Sequence, residues 1–110
     1  MPNNSLDSIR VISDGINAMN DRLADMLPVA GYNELEKKRD AAIDRLHFLV
    51  RLFIKTSTHR YINADSELVV VNGEMKVVLA ALEDMQRVID SATRFVSAID
   101  KFIGAISQIV

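Results

Sequence analysis

The chain has 110 residues, of which 49% are hydrophobic and 25% are charged, with a formal net charge of −2 and no cysteine. This composition excludes a wholly disordered chain and provides enough residues for one domain with its own core. The weakly acidic balance disfavours nucleic-acid binding, and the lack of cysteine excludes disulfides, thiolate zinc sites and thiol nucleophiles.

The apolar residues occur in short runs, such as those over residues 48–54 and 77–82. A bilayer-spanning helix needs about 20 consecutive apolar residues, and no run approaches this length. The first residues also lack the basic segment and apolar stretch of a secretory signal. We therefore expect a single cytoplasmic domain, residues 1–110, without stable membrane insertion.

The first predicted element is an amphipathic helix over about residues 5–27. Ser5 is suited to cap it, Asp7 falls in its first turn, and Pro28 and Gly31 are suited to end it. The apolar side chains recur at alternating intervals of three and four residues, namely Ile9, Ile12, Ile16, Met19, Leu23 and Met26. This spacing is typical of a heptad seam, which one helix presents to another.

The second predicted helix covers about residues 33–57. Asn33 followed by Glu36 has the pattern of a capping box. One broad apolar face contains Ala42, Ile43, Leu46, Leu49, Val50, Phe53 and Ile54. Phe48 and Leu52 add apolar surface elsewhere on the same turns, and a helix that is apolar on several sides is usually buried on several sides. We therefore place this helix centrally, between two partners.

The third predicted helix covers about residues 66–109. Its seam continues at alternating intervals through Leu68, Val71, Met75, Val78, Leu82, Met85, Ile89, Ala92, Val96, Ile99, Ile103 and Ile106. Asn72-Gly73 is also a strong β-hairpin signal, but a lone hairpin is marginally stable and the chain has no third strand. We favour a continuous helix capped by Asp65 or Ser66, with Gly73 on its exposed side. The alternative is an irregular start with Asn72 as the true cap.

A helix of this length would reach roughly 65 Å, against about 35 to 40 Å for the first two helices. Its carboxyl end would then project beyond its neighbours and need a second chain to cover it, most simply another copy in a homodimer. The expected interface comprises Phe95, Val96, Ile99, Phe102, Ile103, Ile106 and Ile109, together with Phe48 and Leu52. Alternatively, the helix breaks near Gly104 or within residues 90–93 and folds back.

Few residues suggest chemistry. Asp44 and His47 have the carboxylate-x-x-His spacing of di-iron helical bundles, but such a site needs further carboxylates in the core. A simpler interpretation places Asp44 in solvent and His47 at the edge of the apolar face, with its ring partly buried. Ser57 and His59 lack the third group and oxyanion site that a catalytic triad requires. We expect no catalytic residues, metal or other cofactor.

The predicted fold is all-α: an antiparallel helical hairpin, about 5–27 and 33–57, packed on a long helix, about 66–109, as a three-helix or coiled-coil-like bundle. The expected function is a non-catalytic protein–protein interaction module, such as a small bacterial secretion chaperone, an adaptor, or an antitoxin- or immunity-type binder, self-associating through its last helix. This expectation rests on fold-level analogy. The alternatives are a structural coiled-coil subunit of a larger assembly and a helical-bundle metal or ligand binder.

Overall fold

The computed structural model describes residues 7–25, 31–56, 62–81 and 84–108. They form four α-helices: α1 (Ser8–Asp25), α2 (Tyr32–Lys55), α3 (Ser66–Ala80) and α4 (Met85–Ser107). Within these ranges there is no strand, and Asp7 and Asn63 form an isolated bridge. The all-α prediction is confirmed.

Each helix packs against two others. α1 and α4 both lie against α2 and α3, which places α1 diagonally opposite α4 and α2 diagonally opposite α3. Asp7 pairs with Asn63 at one end, and the Arg22 Nη1 lies 3.4 Å from the Leu79 carbonyl oxygen at the other. α1 and α3 therefore run parallel.

α2 and α4 also run parallel, because Gly31 lies against Met85 near their starts and Arg45 contacts Asp100 further along. Since Arg39 of α2 reaches Asn20 of α1, helices that follow one another in sequence run in opposite directions. The molecule measures 43 × 30 × 19 Å. A 24-residue helix such as α2 reaches about 36 Å, so α2 spans most of the longest dimension.

The start of α1 is anchored by polar contacts. The Asp7 carboxylate accepts a hydrogen bond from the Ile9 N–H at 2.8 Å, so Asp7 caps the helix instead of lying within its first turn. The Ser8 N–H and hydroxyl both donate to the Ile62 carbonyl, which attaches the segment before α3 to the start of α1. Ser5, Met26 and Pro28 lie outside the described residues.

The predicted capping box of α2 is wrong. The residue before the helix is Gly31, which has a left-handed φ of 92° and supplies no side-chain cap, and Asn33 is already helical. A positive φ strains residues with a Cβ, so glycine suits this position. Gly31 is therefore both the last residue of the connection and the cap position that precedes α2.

The start of α3 decides between the two readings of Asn72-Gly73. Asp65 accepts a hydrogen bond from the Leu68 N–H at 2.8 Å, and the helix is continuous from Ser66 through Gly73. Gly73 is exposed, with open space where a Cβ would project. The continuous-helix prediction is confirmed over residues 68–73, and the hairpin alternative is wrong.

The prediction of one helix over 66–109 is wrong, because the chain breaks between α3 and α4. The Ala81 N–H still bonds the Val77 carbonyl, but Asp84 adopts φ −62° and ψ 157° and caps α4 by accepting from the Arg87 N–H at 3.1 Å. The break precedes both Gly104 and residues 90–93. An unbroken helix of about 65 Å would exceed the 43 Å length of the molecule, and the break lets α4 pack beside α3 instead.

The core lies between the four helices and is mainly apolar. Its central contact joins Gly15 of α1 to Phe95 of α4, since a Cβ at Gly15 would lie 2.3 Å from the Phe95 ring. The buried side chains of α3 are Leu68, Val71, Asn72, Met75 and Leu79, and those of α4 are Val88, Ser91, Ala92, Phe95, Ala98, Ile99, Phe102 and Ile106. In α3, Leu79 is therefore buried in place of Val78, which the predicted seam contained. In α4, the buried residues include Val88, Phe95 and Phe102, which lie beside the predicted seam.

Candidate interaction surface

The structure places most of the predicted α4 interface inside the single chain. Phe95, Ile99, Phe102 and Ile106 are at most 4% exposed, while Val96 and Ile103 are partly buried against the same core. Ile109 lies outside the described residues. The length mismatch that motivated this interface is absent, because α4 is covered by α2 and α3 of its own chain.

Phe48 of α2 lies near Ile103 of α4 at the surface. The Phe48 side chain is 47% exposed, whereas Leu52, one turn further along α2, is partly buried. Phe48 and Ile103, together with Asp44, Arg45 and Asp100, line an open depression of about 330 Å³. The structure thus brings together two of the residues that the sequence assigned to an interface.

Arg45 and Asp100 fasten α2 to α4 beside this depression. The Arg45 Nε lies 3.0 Å from Asp100 Oδ1, and the Arg45 Nη2 lies 3.4 Å from Asp100 Oδ2. This two-pronged hydrogen bond raises the pKa of Arg45 above its ordinary value. Because the pair satisfies both charges, it holds the two helices in register and leaves the neighbouring apolar side chains to define the surface.

The outward side of α2 in its second half carries both apolar and basic side chains. We call this set the α2 surface, and it consists of His47, Phe48, Arg51, Ile54 and Lys55. All five are exposed, and Ile54 is 69% exposed. The expectation that α2 is covered on several sides is therefore wrong for Phe48 and Ile54, because α1 and α4 flank α2 and leave its outer side open.

The cations of the α2 surface are Arg51 and Lys55. The sequence has no acidic residue between Arg45 and Lys55. Arg51 and Lys55 form no ion pair among the described residues, whereas Arg39 pairs with Glu36 and Asp40. A second depression, of about 300 Å³, lies beside Arg51 and is lined also by Leu46, His47 and Val50.

α3, at the opposite corner of the bundle, exposes Val70 and Val77 on either side of Gly73. Its charges are compensated, because Glu67 and Glu74 each lie 3.1 Å from a cation of α4, Lys101 and Arg94 respectively. The exposed valines of this face therefore lie on a helix whose two glutamates are already paired. The α2 surface is the stronger candidate for binding.

Polar side chains also join α1 to α3. Lys76 Nζ and Asn72 Nδ2 donate to the Asp14 carboxylate at 2.7 and 3.2 Å, and the Lys76 hydrogen bond is the main reason that the pKa of Asp14 is lowered. Asn72 Oδ1 and Arg22 Nε are buried and have no hydrogen-bond partner among the residues that the structure describes. The sequence did not indicate this network, because Asn72 was considered only as a turn or cap residue.

The residues considered for chemistry do not form a site. Asp44 and His47 are both exposed, so His47 is not partly buried as expected. Across the described ranges, no three His, Cys, Asp or Glu side chains cluster closely enough to hold a metal ion. Ser57 and His59 lie outside the described residues. None of the four helices has the length and apolarity to cross a bilayer.

Comparisons with known proteins provide no relative from which to transfer a function: the chain matches no protein-family model, no curated protein sequence and no solved structure.

Proposed function

We propose that the protein is a non-catalytic helical interaction module, of the kind that serves as a small chaperone, adaptor or immunity-type binder, and that its α2 surface binds an acidic segment of a partner protein. The observation that carries this proposal is the exposure of Phe48 and Ile54 among cations that have no ion pair within the described part of the chain. Aromatic and arginine side chains dominate the energetics of many protein interfaces.

The chemistry of the α2 surface specifies the partner. Covering Phe48 and Ile54 would remove apolar area from water, at about 25 cal/mol per Å². Acidic side chains on the partner would pair with Arg51 and Lys55, which form no ion pair among the described residues. An amphipathic helix with one apolar and one acidic side meets both requirements, and the depressions on either side of α2 can receive its larger side chains.

The proposal is tested by quantitative affinity capture from the source cell with three forms of the full chain. The first is unchanged, the second carries Phe48→Ser and Ile54→Ser, and the third carries Val70→Ser and Val77→Ser as a matched control on α3. A genuine partner should be retained by the first and third forms and lost from the second. Circular dichroism of each form checks that the helices are intact.

Charge-reversal variants and a salt titration provide an independent test in the same capture experiment. Arg51→Glu with Lys55→Glu should weaken capture, and capture by the unchanged chain should fall as salt is raised, because exposed charge pairs are screened. A captured polypeptide that the α3 variant loses and the α2 variant retains would overturn the assignment. Binding of the purified chain to vesicles of anionic lipid, abolished by the same charge reversals, would identify a membrane surface instead of a protein.

A further inference from the structure

The connection between α3 and α4 has the composition of a helix. Ala81, Leu82, Glu83 and Asp84 include neither glycine nor proline, and the first three are strong helix formers. Ala81 has φ −83° and ψ 1°, near the helical region, and its N–H bonds the Val77 carbonyl. Of the two connection residues that the structure describes, Asp84 is the one that leaves the helical region.

A side chain of α1 reaches the last turn of α3. The Leu79 carbonyl accepts a hydrogen bond from Arg22 Nη1 at 3.4 Å. In a continuous helix this carbonyl would accept from the backbone N–H four residues later. In the sequence, apolar residues continue the spacing of three and four across the connection at Met75, Leu82 and Met85, while the buried sides of α3 and α4 in the closed chain are offset from it. Local preferences therefore favour a straight helix as much as a turn.

The closed hairpin is held by the contacts of α4 with the rest of the chain. Its apolar side packs against α2 and α3. Asp100 pairs with Arg45 of α2, while Arg94 and Lys101 pair with Glu74 and Glu67 of α3. If the connection straightened, α4 would leave these partners, and the same contacts would be available on a second copy of the chain.

We propose that the α3–α4 hairpin opens into one continuous helix and that two copies of the chain exchange their α4 helices. A helix over residues 66–107 reaches about 63 Å, which exceeds the 43 Å length of the closed molecule, so only another copy can cover the far end. The exchanged dimer repeats the contacts of the closed chain. Its population is therefore set mainly by protein concentration and by the conformational preference of the connection.

In the exchanged dimer, the α4 residues that the sequence assigned to an interface would contact a second chain. This contact does not require α4 to project beyond its neighbours in the closed chain. It is also independent of the proposed partner of the α2 surface. The residues that would meet a second copy are those of the α4 core side and their neighbours on α2: Phe95, Val96, Ile99, Phe102, Ile103, Ile106, Phe48 and Leu52.

Site-specific crosslinking distinguishes exchange from side-by-side association, and the absence of native cysteine makes it direct. Positions 74 and 94 face each other in the closed hairpin and would lie about 30 Å apart within one continuous helix. In a Glu74→Cys, Arg94→Cys variant, a short bis-maleimide should link two chains in the dimer fraction and one chain in the monomer fraction. Denaturing electrophoresis and mass spectrometry identify the linkage.

Asp14→Cys with Lys76→Cys is the matched control. These positions join α1 to α3, which stay in the same chain in both forms, so the control should crosslink within one chain in both fractions. A dimer whose 74–94 crosslinks also lie within single chains would overturn the exchange. It would instead indicate association of closed molecules, for example through the α2 surface.

Substitutions in the connection should shift the monomer–dimer equilibrium in opposite directions. Asp84→Ala removes the α4 cap and should raise the association constant about 25-fold, because each of the two chains loses a cap that favours the closed form about fivefold. Ala81→Gly with Glu83→Gly weakens a continuous helix and should lower the constant by a comparable or larger factor. Sedimentation equilibrium measures both constants.

Refolding each variant at high concentration allows slow exchange to reach equilibrium before measurement. A purely monomeric Asp84→Ala variant after refolding at about 1 mM, with normal helix content, would overturn the proposal. An increase in dimer for the glycine variant would overturn it as well, because glycine disfavours the helix that exchange requires.

Discussion

The chain reverses direction at each of its three connections, and the first reversal, between α1 and α2, has a different physical basis from the last, between α3 and α4. Before α2, Gly31 adopts φ 92°, a conformation in which a residue with a Cβ is strained. Before α4, the sequence has no glycine or proline, and the described residue that leaves the helical region is Asp84. The backbone conformation of Gly31 favours the reversal before α2. The reversal before α4 is favoured mainly by the packing of α4 against α2 and α3.

Magnitudes support this distinction. A helix cap such as Asp84 contributes about 1 kcal/mol. Burial of one large apolar side chain contributes about 1.5–3 kcal/mol, and α4 buries several, among them Phe95, Ile99 and Phe102. The packing of α4 therefore outweighs its cap. A reversal held in this way can be undone by any surface that offers equivalent packing, including a second copy.

The largest expected effect comes from removing the central packing contact of α4. Phe95→Ala should lower the free energy of unfolding by about 3–5 kcal/mol, because Phe95 is fully buried at the closest approach of α4 to α1. Urea denaturation measures the change. Val96→Ala, at the partly buried neighbouring position, is the control and should have a smaller effect. Equal effects would show that the Phe95 contact does not hold α4 in place.

An intermediate effect is expected at the first reversal. Replacing glycine by alanine should change the free energy of unfolding in opposite directions at Gly31, in this reversal, and at Gly73, in α3. Gly31→Ala should destabilise the protein by about 1–2 kcal/mol, since alanine is strained at φ 92° and its Cβ would lie 2.7 Å from the Met85 methyl group. Gly73→Ala, with open space around it in α3, should stabilise by up to about 1 kcal/mol. Thermal unfolding of both variants measures the two signs, and a stabilising Gly31→Ala would contradict a backbone basis for this turn.

The smallest expected effect concerns the link between the two hairpins, where Asp14 of α1 meets Lys76 of α3. Because the folded-state pKa of Asp14 is lowered, the folded chain binds fewer protons there than the unfolded chain, and this contribution is lost as pH falls below about 4. The contribution should be less than about 1 kcal/mol, since both side chains are about half exposed to solvent.

Asp14→Asn should therefore flatten part of the acid limb of a stability–pH profile measured by denaturant unfolding. Asp21→Asn, at an exposed position on α1 with no ion pair among the described residues, is the comparison. Indistinguishable acid limbs for the unchanged chain and for Asp14→Asn would show that the contact is too weak in solution to tie the hairpins together.

The candidate surface was only partly predictable. The sequence identified Phe48 as an apolar residue outside the main face of its helix, but it assigned Ile54 to the buried face. The exposure of Ile54 follows from the positions of α1 and α4, which leave the outer side of α2 open. Periodicity reports which residues share a side of a helix, whereas exposure depends on where the neighbouring helices lie.

The sequence by itself determined the all-α class, the approximate extents of the first two helices and the continuity of helix through Asn72 and Gly73. These features follow from local propensity and apolar spacing, which act within a few turns. Only the tertiary structure decided that the chain breaks before Asp84 and that α4 lies in its own core. A regular spacing of apolar residues along the sequence is compatible both with one long helix and with two shorter ones. The choice between them depends on which surface, in the same chain or in another, covers the apolar side of α4.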